Sequence, residues 1–224
     1  MRITLAGALA GVLMLAGQAA YAAPITTLFN TGMAADRSLL ADGTLGDPHY
    51  TLTTVPLTST STIRVITEAS GYPIGPYMGD NLQSRWIGPN NTPDVDGPAG
   101  TYVYRTTFSL AGLNHATASI SGLWATDNEG LNIYLNGQAR NFQSASYGFF
   151  SPFVLNSGFL PGLNTIEFHV NNGGGPTALR VQMNGTADPI RDPDPDPDPA
   201  PEPATLAILG AGLAGVALRR RTRP

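Results

Sequence analysis

Polar and apolar residues alternate along the middle of the chain with a period of two. In Thr165–Val170, Ile166, Phe168 and Val170 fall on one face and Glu167 and His169 on the other. In Ala178–Asn184, Leu179, Val181 and Met183 oppose Arg180, Gln182 and Asn184; in Leu131–Leu135, Leu131, Ile133 and Leu135 oppose Asn132 and Tyr134. Successive side chains of a strand point to opposite faces, so the pattern predicts half-buried antiparallel strands. Further strands are predicted over Ile25–Asn30, Tyr50–Thr54, Ile63–Thr67, Tyr102–Leu110 and Thr117–Trp124. Asn136-Gly137 predicts a two-residue hairpin, because both positions of its turn need positive φ. Asn171–Pro176 (NNGGGP) predicts a second turn. Many short strands between turns predict an all-β fold, an antiparallel β-sandwich or barrel.

The two ends break this pattern. Met1-Arg2, the apolar run Ile3–Gly17 and the Ala20-x-Ala22 ending predict a secretory signal over residues 1–22, a helix removed after Ala22. Asp188–Pro203 holds seven Pro and six acids in 16 residues and can bury nothing. It predicts a semi-rigid spacer with roughly 3.1 Å per residue, or about 50 Å. Ala204–Leu218 carries no charge and predicts a short transmembrane helix. Its 15 residues span about 22 Å as a helix, short of the roughly 30 Å hydrocarbon core, which the snorkelling Arg side chains that follow help to bridge. Arg219, Arg220 and Arg221 stay on the cytoplasmic side and leave the body outside. The expected organisation is therefore a signal (1–22), a β-sandwich (23–187), an acidic linker (188–203) and a membrane tail (204–224).

Pro201-Glu202-Pro203, a short apolar helix and a terminal Arg cluster together resemble the PEP-CTERM sorting signal. The resemblance implies export by bacteria that make exopolysaccharide, transient anchoring in the inner membrane, processing by an exosortase and display at the surface or in the matrix. Expected partners are the export machinery, the exosortase, the membrane and exopolysaccharide. The resemblance gives a location and no activity. A second resemblance lies in Tyr104–Leu110, in Leu131–Gly137 and in Phe149–Val154 followed by Leu160–Val170. These segments look like the strands of galactose-binding-like jelly-roll sandwiches, a fold found both in sugar-binding modules and in spacers.

Composition removes whole classes of chemistry. All twelve basic residues are Arg, so no Schiff-base or P-loop lysine exists. Zero Cys excludes disulfides and Cys-based metal sites. A net charge of −4 argues against nucleic acid. His49, His115 and His169 lie in separate segments, no G-x-S-x-G elbow occurs, and no enzymatic role is expected. A secreted carbohydrate-active enzyme or its accessory domain is the alternative. Thr51–Thr62 is Thr-rich, but the chain lacks the fixed repeat that a flat ice-binding array needs.

Two binding chemistries remain. Trp86 sits among Arg85, Asn90 and Asn91, an aromatic ring beside groups that hydrogen-bond sugar hydroxyls. An exposed sugar platform and a core position both account for it. Trp124 is expected in the core, and Phe149 and Phe150 are expected to bury. Asp94 and Asp96, with Asp127 and Asn128, form two acidic turns of the oxygen-rich kind that calcium uses. Turns in which Asp and Asn cap their own backbone account for them as well. No other cofactor is indicated.

Overall fold

A computed structural model describes residues 22–190. The signal segment 1–21, the linker from 191 and the tail 204–224 lie outside the described residues. Thirteen strands follow in order: β1 (Ala23–Pro24), β2 (Tyr50–Thr54), β3 (Ile63–Ile66), β4 (Trp86–Pro89), β5 (Asp96–Gly97), β6 (Gly100–Ser109), β7 (Ser119–Asp127), β8 (Glu129–Leu135), β9 (Gln138–Ala139), β10 (Ser151–Leu155), β11 (Leu163–Asn172), β12 (Gly175–Pro176) and β13 (Ala178–Ala187). Two antiparallel sheets face each other. One runs β10-β7-β13-β4-β3, with β1 also on β13; the other runs β2-β6-β11-β8-β9. From β6 onward the long strands alternate between sheets, the connectivity of a jelly roll. Among the described residues no helix is long and apolar enough to cross a membrane.

The period-2 reading sets the register. Ile166, Phe168 and Val170 of β11 are buried between the sheets, while Glu167 and His169 face outward. Outside, the Arg105 guanidinium on β6 donates to Glu167 Oε1 through Nε (2.9 Å) and Nη2 (2.6 Å). Phe168 lies at the centre of the core. Its ring centroid is 5.8 Å from Trp124, 6.0 Å from Phe153 and 6.4 Å from Tyr50, which joins three strands from both sheets to it. Gly122 makes room for Phe153: a Cβ there would stand 2.3 Å from that ring. Asn136 and Gly137 take φ of 52° and 77° and close the β8–β9 hairpin.

Two strands depart from expectation. Ile25–Asn30 is not a strand; β1 covers Ala23–Pro24 alone. Beyond it the chain runs beside β13, bonded through the Ile25 amide to Gly185 O (2.8 Å) and the Thr31 amide to Val181 O (3.2 Å), with side chains taking the bonds between. Asn30 Oδ1 accepts from the Met183 amide (2.7 Å) and Thr31 Oγ1 from the Val181 amide (3.0 Å). A backbone edge satisfied in this way needs no strand partner. Conversely, Trp86–Pro89 is β4. All four residues are buried, so they show no alternation from which a strand could be read.

Candidate functional site

The outer face of β13 is covered. Arg180 was expected on a solvated face and is fully buried. The segment between the 3-10 turn Glu68–Ser70 and β4 folds back over it. Arg180 Nε donates to Ser84 Oγ (2.8 Å), Nη1 to Gly79 O (2.7 Å) and Nη2 to Ser84 O (3.0 Å). Phe150 lies over the guanidinium at 5.7 Å. Burial draws its pKa down to about 10, still charged at neutral pH. A planar fork that reaches several carbonyls at once is what arginine provides and lysine does not. One side chain thus fastens residues 78–84 onto the sheet.

On this platform three rings form a column. Trp86 is fully buried, and its Nε1 donates to Met78 O (3.0 Å). Tyr77 packs on Trp86 with centroids 4.8 Å apart and stacks on Tyr147 at 5.2 Å. Exposure rises along the column, from 0 % at Trp86 through 4 % at Tyr77 to 38 % at Tyr147. The Met78 amide donates to Tyr147 O (3.0 Å), joining the two loops that carry the rings. Tyr72 and Phe149, on the same loops, are more than half exposed. A hollow of ≈ 320 Å³ lined by Glu68, Ile74, Gly75, Tyr77 and Gly79 opens at the column's middle ring.

Carboxylates complete the site. Tyr77 Oη donates to Asp127 Oδ2 (2.5 Å), and Asn128 Nδ2 donates to Asp127 Oδ1 (2.9 Å). Burial raises the Asp127 pKa, opposed by the Tyr77 hydrogen bond; burial, with Asp127 beside it, raises that of Tyr77. Glu68 Oε1 accepts from the Asp80 amide (3.0 Å), while Asp80 Oδ2 accepts from the Glu68 amide (3.3 Å). Exposed rings beside carboxylates and amides can stack on the C–H face of a sugar and hold its hydroxyls.

The expected site residues fare differently. Trp86 has no free face, so it is a support for the exposed ring and not itself a platform. Arg85 turns to its own loop, donating to Asn81 O and lying 3.9 Å from Asp80 Oδ1. Asn90 Oδ1 accepts from Arg64 (3.4 Å). Asn91 bonds the Thr60 amide (2.9 Å), Ser59 Oγ (3.0 Å) and Asp96 O (2.9 Å), pinning two loops together. These four residues do not converge. Phe149, expected inside, is exposed; Trp124 is buried as expected. The calcium set does not fit an ion either. Both Asp127 oxygens are engaged, Asn128 Oδ1 accepts from the Gly173 amide (2.6 Å), and among the described residues no three acidic or His side chains gather as metal ligands. The sequence hinted at this ring cluster only through the aromatic run Tyr147-Gly148-Phe149-Phe150.

Location is decided elsewhere in the chain. Residues 199–221 match the PEP-CTERM protein-sorting motif. The chain carries a PEP-CTERM sorting motif. The match spans Pro201-Glu202-Pro203, the apolar run and Arg219–Arg221. No curated protein matches the chain. Among solved structures, CBM35 from Paenibacillus barcinonensis is similar, with a TM-score of 0.34 and 16 % identity over 63 % of this chain and 98 % of that one. An exo-beta-1,3-galactanase from Phanerochaete chrysosporium, solved with beta-1,3-galactotriose, aligns with a TM-score of 0.30 and 12 % identity over 65 % of this chain. A Podospora anserina GH26-CBM35 beta-(1,4)-mannanase aligns with a TM-score of 0.30 and 18 % identity over 71 % of this chain. The chain spans 30 % of the length of each of these two enzymes.

Proposed function

We propose that this is an exported, exosortase-processed surface or matrix protein whose β-sandwich recognises polysaccharide without catalysis. Its PEP-CTERM motif supports the sorting half of the reading. The ring column carries the other half. Trp86 and Tyr77 fix Tyr147 from beneath, so its outer face is held rigid and wet, and a preorganised ring loses little entropy on stacking with a sugar. Glu68, exposed on the wall of the hollow that Tyr77 also lines, is a hydrogen-bond partner for hydroxyls. The test is affinity electrophoresis of the full chain in mild detergent through gels containing the producing cell's exopolysaccharide. Tyr147→Ala is expected to lose about tenfold in affinity, some 1.4 kcal/mol, with an unchanged melting temperature. Equal retardation of wild type and variant overturns the role of Tyr147.

A further inference from the structure

The outer face of β10-β7-β13 remains open beyond the cover. Register brings two rows of side chains together there. Val154, Ser121 and Asn184 form one row, and Pro152, Leu123 and Gln182 the next. A third row, Ala125 and Arg180, lies under the covering segment and ends the open surface. Asn30 and Gln83 rise at one side, where Asn30 Nδ2 donates to Gln83 O (2.9 Å). The result is an open groove of ≈ 440 Å³. It is about 10 Å wide across the three strands, two inter-strand spacings, and about 7 Å long along them, one two-residue step between rows.

The lining chemistry selects a ligand. No charged side chain lines the groove. Its floor offers an apolar strip, with Leu123 at 38 % and Val154 at 50 % exposure and Pro152 beside them. Amides and a hydroxyl flank that strip. Gln182, on the groove's lining, donates from Nε2 to Ser84 Oγ (3.0 Å), which fixes the orientation of its amide. Asn184 Oδ1 lies 3.4 Å from Ser121 Oγ, and its Nδ2 is free to donate. Gln83 is exposed, with both amide atoms available. Alternating C–H and hydroxyl groups match such a surface. An acidic chain would find no cation here, and a lipid no continuous apolar face.

We infer that this groove is a second binding site, for a segment of neutral polysaccharide lying over β7 between β10 and β13. It deepens the polysaccharide reading but stands on different residues from the Tyr147 column. Two sites on one body raise the effective concentration of each for the same chain.

The experiment uses the full chain in mild detergent, with affinity electrophoresis against neutral galactomannan, neutral β-glucan and acidic polygalacturonate. The variants are Asn184→Arg, which fills the groove from an exposed position, and Leu123→Ala, which trims its floor, each also in a Tyr147→Ala background. Either groove variant is expected to lower affinity for a neutral probe about fivefold, in both backgrounds and with unchanged melting temperature. Neutral-probe affinity that falls with Tyr147→Ala but not with either groove variant overturns the groove and keeps the column. Affinity that falls with the groove variants but not with Tyr147→Ala keeps the groove and overturns the column. Wild-type retardation by polygalacturonate alone, or by no probe, overturns the groove.

Discussion

The ring of Tyr77 lies 4.8 Å from that of Trp86, and this contact turns a buried residue into a determinant of a surface. Trp86→Ala is therefore expected to cost about 3–5 kcal/mol in urea unfolding, because a large fully enclosed ring leaves a cavity. Polysaccharide affinity should fall in parallel, since Tyr77 and Tyr147 lose their support. Trp86→Phe keeps a ring but loses the hydrogen bond to Met78 O and leaves a smaller void, a cost of about 1–3 kcal/mol, and should largely preserve affinity. Undiminished binding by folded Trp86→Ala would separate the column from recognition.

Arg180 is expected to be the fastening of the covering segment. Arg180→Met removes the donor to Gly79 O and Ser84 O and leaves Ser84 Oγ with Gln182 Nε2 alone, at a cost of about 2–4 kcal/mol. Limited proteolysis should then cut between Gly71 and Gln83 faster than in the wild type. Arg180→Lys should not rescue, because one ammonium cannot bond both carbonyls in the plane of the guanidinium. Unaltered cleavage in both variants would show that the segment is held by other contacts.

A pH dependence follows from Asp47. It is buried beside the start of β2, and its oxygens accept from the amides of Gly32 (2.7 Å), His49 (2.8 Å) and Tyr50 (3.1 Å). Burial outweighs these bonds and raises its pKa from 3.8 to about 6. Between those values the folded chain binds more protons than the unfolded one, so stability falls as pH rises through that window. Asp36 and Asp42 run the other way: hydrogen bonds to Ser38 lower the first, and bonds to Ser70 and Thr67 outweigh burial at the second. Their contribution is lost as pH drops below the ordinary carboxylate range. Urea midpoints measured across this range should peak on the acid side of neutrality. Asp47→Asn should flatten the slope above the peak, and an unchanged slope would remove Asp47 as its source.

The sorting tail yields its own prediction. Replacing Arg219, Arg220 and Arg221 with Ser should disturb orientation or retention, because these charges resist transfer across the membrane. Replacing Glu202 should leave insertion intact and disturb processing. Intact-mass analysis of the surface form checks both; a mature protein still carrying Arg219–Pro224 would mean that the tail anchors without being cut.

Local chemistry was enough to read β11 and β13 and much of β6 to β8 from the sequence, but not β4, the course of Ile25–Asn30 or the exposure of Leu131. Alternation placed Ile166, Phe168 and Val170 inside because side-chain direction in a strand depends only on position parity. Asn136-Gly137 announced its hairpin because few residues take positive φ in succession. Pro201-Glu202-Pro203 with its apolar run and Arg cluster is likewise legible, since a sorting signal is linear. The burial of Arg180 and Trp86 could not be read in this way. Both depend on a cover that arrives from roughly a hundred residues away in one case and from the preceding loop in the other. Which ring of Trp86, Tyr77 and Tyr147 meets water was decided by stacking order, a tertiary relation between residues remote in sequence. The groove has the same origin. Leu123, Val154 and Gln182 belong to three strands and become one surface only when register sets them side by side.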